Sequence, residues 1–232
     1  MTSLAGKRVL TISFSGIDGA GKSTQITALR DRLAARGLRV RVIPFWDEIA
    51  CLTGMRETAG QRIFGGDKGV GSPSRPIERR DKNVRAWPMS WVRLLLYTLD
   101  GLSARLVLES ARRSSFGVVI FDRWIYDELA NQNLGSRFNR LYVRLLANLV
   151  PKPDLGFYLD AVPEQARARK PEYPLSFLVA NRSSYLRLSQ LIHGITVIPP
   201  APVEEVEQFI ADRVCAFESA ALLGIDPHPA TN

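Results

Sequence analysis

The residues Ser15-Gly16-Ile17-Asp18-Gly19-Ala20-Gly21-Lys22-Ser23-Thr24 contain a complete G-x-x-x-x-G-K-[ST] spacing, running from Gly16 to Ser23. Glycines at 16, 19 and 21 let the backbone take positive φ and turn its N–H groups inward, around the phosphates of a nucleotide. Lys22 would reach the β- and γ-phosphates, and the Ser23 hydroxyl would complete the shell of a magnesium ion. The loop must be held between a strand and a helix, and both are present. Val9-Leu10-Thr11-Ile12-Ser13-Phe14 is a β-branched, apolar run directly before it. After it, Ile26, Leu29 and Leu33 recur at helical spacing, so the phosphates would sit on a helix N-terminus with its partial positive charge.

A second place for chemistry lies mid-chain. Phe116-Gly117-Val118-Val119-Ile120-Phe121 is a continuous apolar run of the buried parallel-strand type, and it ends in Asp122-Arg123-Trp124. A carboxylate and a guanidinium at the tip of a buried strand are costly unless used or paired, which marks them as active-site residues. Trp46, Asp47 and Glu48 stand where a second strand, 38–43, would end after Pro44. They read either as substrate contacts at the carboxyl edge of a sheet or as ordinary capping and core residues.

Composition bounds the rest. The chain has 232 residues, 46% of them hydrophobic, enough for one large α/β core. A net charge of +8 favours an anionic partner without naming the anion. Arginine carries most of that charge and suits bidentate phosphate recognition, although a genome-wide preference for Arg codons leaves the same trace. Cys51 and Cys215 are far apart and outside any C-x-x-C, so a reducing, cytoplasmic setting without disulfide or zinc is expected. The only histidines are His193 and His228. Nucleophilic Ser–His or Cys–His chemistry is therefore disfavoured, and the reaction leans on Lys, Arg, Asp and a metal. Neither a signal peptide nor an apolar run of membrane length is recognised, and nucleic-acid binding would explain the charge but not the motifs.

Further along, 53–88 is rich in glycine and carries Arg75, Arg79, Arg80, Lys82 and Arg85; it reads as a substrate lid or a disordered insertion. The apolar positions from Trp91 to Val107 make a long helix, central to the core or part of a subunit contact. Helices follow over 126–150 with a possible break at Gly135, then a fourth strand, Leu155 to Leu159, ended by Asp160. A short helix over 163–168 leads into a basic, proline-stiffened lid over 168–176, with Arg167, Arg169 and Lys170 at the junction. A helix over 176–191, a fifth strand over 195–198 and a helix over 202–223 complete the pattern, and the tail 226–232 reads as loose. Strands alternating with helices predict a three-layer α/β/α arrangement on a five-stranded parallel sheet, in one domain spanning 1–225.

The phosphate loop, the strand end Asp122-Arg123-Trp124, the strand from Pro153-Asp154-Leu155 to Tyr158-Leu159-Asp160, the basic lid and the Arg182…Tyr185 helix together resemble the thymidylate kinases, P-loop nucleoside-monophosphate kinases. The resemblance implies transfer of the ATP γ-phosphate, with magnesium, to a small phosphorylated acceptor, dTMP by default, in a homodimer. It places Gly16, Gly19, Ala20, Gly21, Lys22, Ser23, Thr24 and Arg182 on ATP, and Ser23 and Asp122 on magnesium. Asp18 falls between donor and acceptor, and Arg123 on the acceptor phosphate. Trp46, Asp100, Asp122, Tyr126 and Asp127 complete the acceptor side. Catalysis would rest on Lys22, Asp18, Arg123 and the lid arginines Arg167 and Arg169, because the position after Asp18 is Gly19, not arginine.

The resemblance fails over 46–90. The family's Arg-Glu-Pro-Gly-Gly-Thr segment is replaced by Pro44-Phe45-Trp46-Asp47-Glu48, and its Asp-Arg pair on the long helix by Asp100-Gly101. Two alternatives therefore stand beside the default: a kinase of the same kind for another small acceptor (a sugar, a nucleoside or a specialised metabolite), and a catalytically silent nucleotide-binding regulator.

Overall fold

The structure is a computed structural model and describes residues 9–51 and 87–223. Most of the insertion read over 53–88, and the tail 226–232, lie outside the described residues. The chain forms β1 (Leu10–Ser15), α1 (Lys22–Ala35), β2 (Val40–Pro44), α2 (Trp87–Arg112), β3 (Val118–Asp122), α3 (Ile125–Leu129), α4 (Arg137–Leu149), β4 (Leu155–Leu159), α5 (Pro163–Arg169), α6 (Leu175–Leu191), β5 (Ile195–Ile198) and α7 (Val203–Leu222). A wide π-type turn, Phe45–Ile49, follows β2, closed by the Ala50 N–H on the Phe45 carbonyl.

The five strands lie in the order β2-β3-β1-β4-β5, all parallel. Alternation along each strand sends its side chains to two separate cores. Leu10, Ile12 and Phe14 of β1, with Val118 and Ile120 of β3, meet Ile26, Leu29 and Leu33 of α1 and Val206, Ile210 and Val214 of α7. Val119 and Phe121 face the opposite way, towards Ala104 and Leu108 of α2, Leu129 of α3 and Val143 of α4. This is the expected three-layer architecture.

On that second face β1 is not apolar. Thr11, Ser13 and Ser15 are buried there, and two of them hold carboxylates. The Thr11 amide and hydroxyl both donate to Asp154, at 2.8 and 2.6 Å, and Ser15 reaches Asp127. The polar row of the central strand thus fixes β4 at one end and the β3–α3 turn at the other. Between α1 and β2, Gly37 takes φ 78° to close the turn, as its position after the helix requires.

Three boundaries differ from the sequence reading. Helix α2 begins at Trp87, with Pro88 in the first turn, where no amide donor is needed. Helix α5 runs through Arg169 and α6 starts at Leu175, so Arg167 and Arg169 ride on a helix and the loop itself is confined to 170–174, where Lys170 pairs with Glu172. Gly135 does mark the break between α3 and α4. Among the described residues, no helix is long and apolar enough to cross a membrane.

Candidate active site

The site forms where β1, β3 and β4 end. The loop 16–21 wraps the start of α1, and its glycines are required by close approaches. A Cβ on Gly19, at φ 82°, would lie 2.2 Å from the Ala166 carbonyl oxygen; one on Gly16 would lie 2.7 Å from that of Leu159. The loop is therefore pressed between the end of β4 and helix α5.

Lys22, 7% exposed, folds back across the loop and donates to the carbonyls of Gly16, at 2.8 Å, and Ile17, at 3.0 Å. Burial, and next the Arg123 cation, pull its pKa down to about 8. Ser23 and Thr24 are exposed at the helix start, where the first amides have no partner within the helix. An anion reaching this loop would meet those amides, the positive end of α1 and an ammonium group held by two carbonyls alone.

Arg123 directly follows β3 and has φ 73°, the only positive φ at a non-glycine among the described residues. A left-handed arginine costs about 1–2 kcal/mol and persists only where its surroundings fix it. Here its amide donates to the Phe14 carbonyl at 2.9 Å, and its guanidinium lies between the carboxylates of Asp18 and Asp127. Burial opposes its charge, yet Asp127 and Asp18 more than offset this and raise its pKa above the ordinary value. Asp122, half-buried, stands beside it at the end of β3.

At the end of β4, Asp160 receives Arg182 bidentately, with both bonds at 2.7 Å. Arg182, expected on the nucleotide, is thus engaged by a carboxylate in this structure. Arg169 instead lies over the loop. Its Nε donates to the Gln165 carbonyl, and Nη1 comes within 3.9 Å of where a Cβ on Gly21 would stand. Arg167, half-buried in the same helix turn, completes the pair of lid arginines.

Several expected acceptor residues are placed differently. Tyr126 is buried in the core, its ring packed against the sheet 3.7 Å from the place of a Gly156 Cβ. Asp100 is fully buried and accepts the Cys51 amide at 2.7 Å, anchoring the chain after the π-type turn. Its neighbour Gly101 faces α4: a Cβ there would meet Leu146 and Val150, each at 2.9 Å. The helix register therefore turns that position towards α4, where a side chain would have to displace the Leu146 and Val150 methyl groups. Trp46 is 39% exposed and stands edge-on to the buried ring of Phe45. Asp47 is exposed, and Glu48 pairs with Arg41.

Asp127 has a role that sequence reasoning missed. It is 5% exposed and accepts from the Ser15 hydroxyl, the Tyr185 hydroxyl, the Arg123 guanidinium and the Trp124 amide. All four of its lone-pair directions are engaged by protein donors in this structure. The i, i+4 spacing of Arg123 and Asp127 is the one local signal of this arrangement.

A parallel sheet in this order, with a glycine loop ahead of α1 and a lysine folded back over it, is the P-loop nucleotide-binding fold. Comparison narrows the class. The chain is 31% identical over 164 residues to a thymidylate kinase of Prochlorococcus marinus, covering 68% of this chain and 69% of that one. It is 26% identical over 203 residues to a probable thymidylate kinase of Methanosphaera stadtmanae, covering 85% and 92%. A solved structure of thymidylate kinase from Candida albicans shares the fold, with a TM-score of 0.59 at 16% identity over 97% of this chain and 96% of that one. No protein-family model matches. The chain belongs to the thymidylate kinase family.

Proposed function

We propose that the chain is an ATP-dependent thymidylate kinase. The observation that carries this reading is the convergence, at one sheet edge, of the loop with Lys22 and the Asp18–Arg123 pair. The amides of the loop and of the first turn of α1 bind the ATP phosphates, and Lys22 moves from the Gly16 and Ile17 carbonyls onto the β- and γ-phosphate oxygens. Arg123 holds the 5′-phosphate of dTMP, oriented by Asp18. An oxygen of that phosphate attacks the γ-phosphorus, the bond to the β,γ-bridging oxygen breaks, and ADP leaves. The chemistry needs alignment and charge neutralisation. Arg169, supported by Arg167, supplies cationic charge from α5. The exposed Ser23 hydroxyl and the Asp122 carboxylate are hard oxygen donors flanking the loop and fit magnesium, which keeps several waters and binds substrate phosphates. When bound, that ion neutralises charge on the phosphates.

One observation favours a second reading, a kinase of this family with another small acceptor: Gly101 is packed on Leu146 and Val150 where the family carries a base-reading arginine. A site lacking polar groups for one ligand loses discrimination for it. ADP release, measured with ATP, magnesium and a panel of nucleoside monophosphates, nucleosides and sugars, decides between the two. The first reading expects dTMP to stimulate release most; stimulation by a nucleoside or sugar alone overturns it.

The same reading includes a cytoplasmic homodimer. Cys51 and Cys215 are both free thiols, which suits a reducing compartment. Helices α2 and α4 pack side by side, linked by Thr98 and Tyr142, and together expose Leu95, Leu102 and Leu106 beside Leu141, Leu145 and Leu149. Apolar stripes of this extent mark a protein contact, here a second copy. Light scattering is expected to give twice the mass of one chain, and Leu145→Asp, at a position already 62% exposed, to give the single-chain mass with the fold intact by circular dichroism. A monomeric parent protein would remove the interface.

A further inference from the structure

Arg123 is held by more than Asp18, and the additional contacts lead away from the nucleotide. Asp127 Oδ1 accepts both Arg123 Nη1, at 3.0 Å, and the Tyr185 hydroxyl, at 2.6 Å; Oδ2 accepts the Ser15 hydroxyl, at 2.6 Å, and the Trp124 amide, at 3.2 Å. Residues from β1, the β3–α3 turn and α6 thus meet on one buried carboxylate. Tyr185 is itself fixed. Its ring stacks on Tyr158 at 4.9 Å and 13°, and the Tyr158 hydroxyl donates to Asp160, the carboxylate that receives Arg182. Arg182 and Tyr185 lie three residues apart on α6, on one helix face. That helix directly follows the loop 170–174.

We propose that Asp127 and Tyr185 are positioning residues that set the plane of the Arg123 guanidinium, tying the acceptor-side arginine to the helix that follows the lid. With both Asp127 oxygens doubly engaged, its place relative to the guanidinium is defined by donors from three elements. Removing the Tyr185 hydroxyl leaves Oδ1 bound by Arg123 alone and lets the carboxylate turn about its Ser15 side. Burial and the adjacent Asp127 carboxylate push the Tyr185 phenol well above its ordinary pKa, so it stays a donor across the working pH range. The consequence falls on the acceptor, because Lys22 and the loop do not depend on this carboxylate for their hydrogen bonds.

The proposal rests on the reading of Arg123 as the ligand of the acceptor phosphate, and its test separates the two. In Tyr185→Phe, KM for dTMP is expected to rise about tenfold, as loss of a hydrogen bond to a charged group implies, with KM for ATP within about twofold of the parent. In a double-mutant cycle, Tyr185→Phe should add nothing to Arg123→Lys. Equal rises in both KM values, or additive effects, overturn the proposal. The Arg123 Nε–H resonance, followed by NMR without substrates, is expected to shift or broaden in Tyr185→Phe. An unchanged resonance overturns the positioning role whatever the acceptor proves to be. A parent enzyme inert towards dTMP, with the resonance nevertheless perturbed, overturns the acceptor assignment alone.

Discussion

Lys22→Ala will reduce kcat/KM for phosphoryl transfer by about 10³-fold or more, the scale for deleting a charged group aimed at developing charge in a water-excluded site. It will also remove the rise in melting temperature that ATP gives the parent protein, since a ligand stabilises only the state it binds. The argument is local. Lys22 is buried, carries its charge against the pull of its surroundings, and is held by two loop carbonyls that a phosphate can replace.

The same residue predicts a pH effect of definite sign. The unfolded chain keeps the Lys22 proton up to its ordinary 10.5, whereas the native loop releases it at about 8. Between those values the unfolded state binds more protons, so this group makes native stability rise with pH; below about 8 and above 10.5 it contributes no slope. Thermal unfolding of the parent relative to Lys22→Ala should therefore show a difference that grows in the parent's favour from pH 8 to 10.5. A flat difference would place Lys22 in water.

Arg169→Ala is the second large effect, a fall in kcat of about 10³ to 10⁵, or roughly 4–7 kcal/mol of transition-state stabilisation. The carboxylates Asp18, Asp122 and Asp127 outnumber the cations Lys22 and Arg123 around the loop, so the charge of a transferring phosphoryl group needs a further cation. Arg182 is committed to Asp160. Arg169 reaches over Gly21 from the last turn of α5, and α5 is braced on Gly19. Arg167→Ala, measured in parallel by single-turnover kinetics, is expected to cost less than a tenth as much in rate. The reverse ranking would move the catalytic role to Arg167.

What the sequence disclosed and what it hid follow from how local each determinant is. The loop, α1 and all five strands were legible because apolar runs bounded by Gly, Pro and Asp repeat over a few residues. Arg123 and Asp122 were legible because charge at the tip of a buried strand is unusual. The fate of their partners was not. Asp127 meets Ser15 from 112 positions earlier and Tyr185 from 58 later, and only the folded register brings them together. Tyr126, adjacent in sequence to Asp127, packs against the same sheet face but on the Ser13 and Gly156 side, where its ring is core. Arg182 finds Asp160 across the lid, a pairing that neither residue's neighbours announce. Asp100 and Gly101 look like a vacated base pocket in sequence, whereas helix α2 presents one to the Cys51 amide and the other to α4.

The most direct test is a crystal structure with a non-hydrolysable ATP analogue, magnesium and dTMP. The account predicts the β-phosphate inside the loop 16–23, Lys22 moved from the Gly16 and Ile17 carbonyls onto phosphate oxygens, and the dTMP phosphate on Arg123. A nucleotide bound elsewhere while Lys22 keeps both carbonyls, or a dTMP phosphate remote from Arg123, would contradict it.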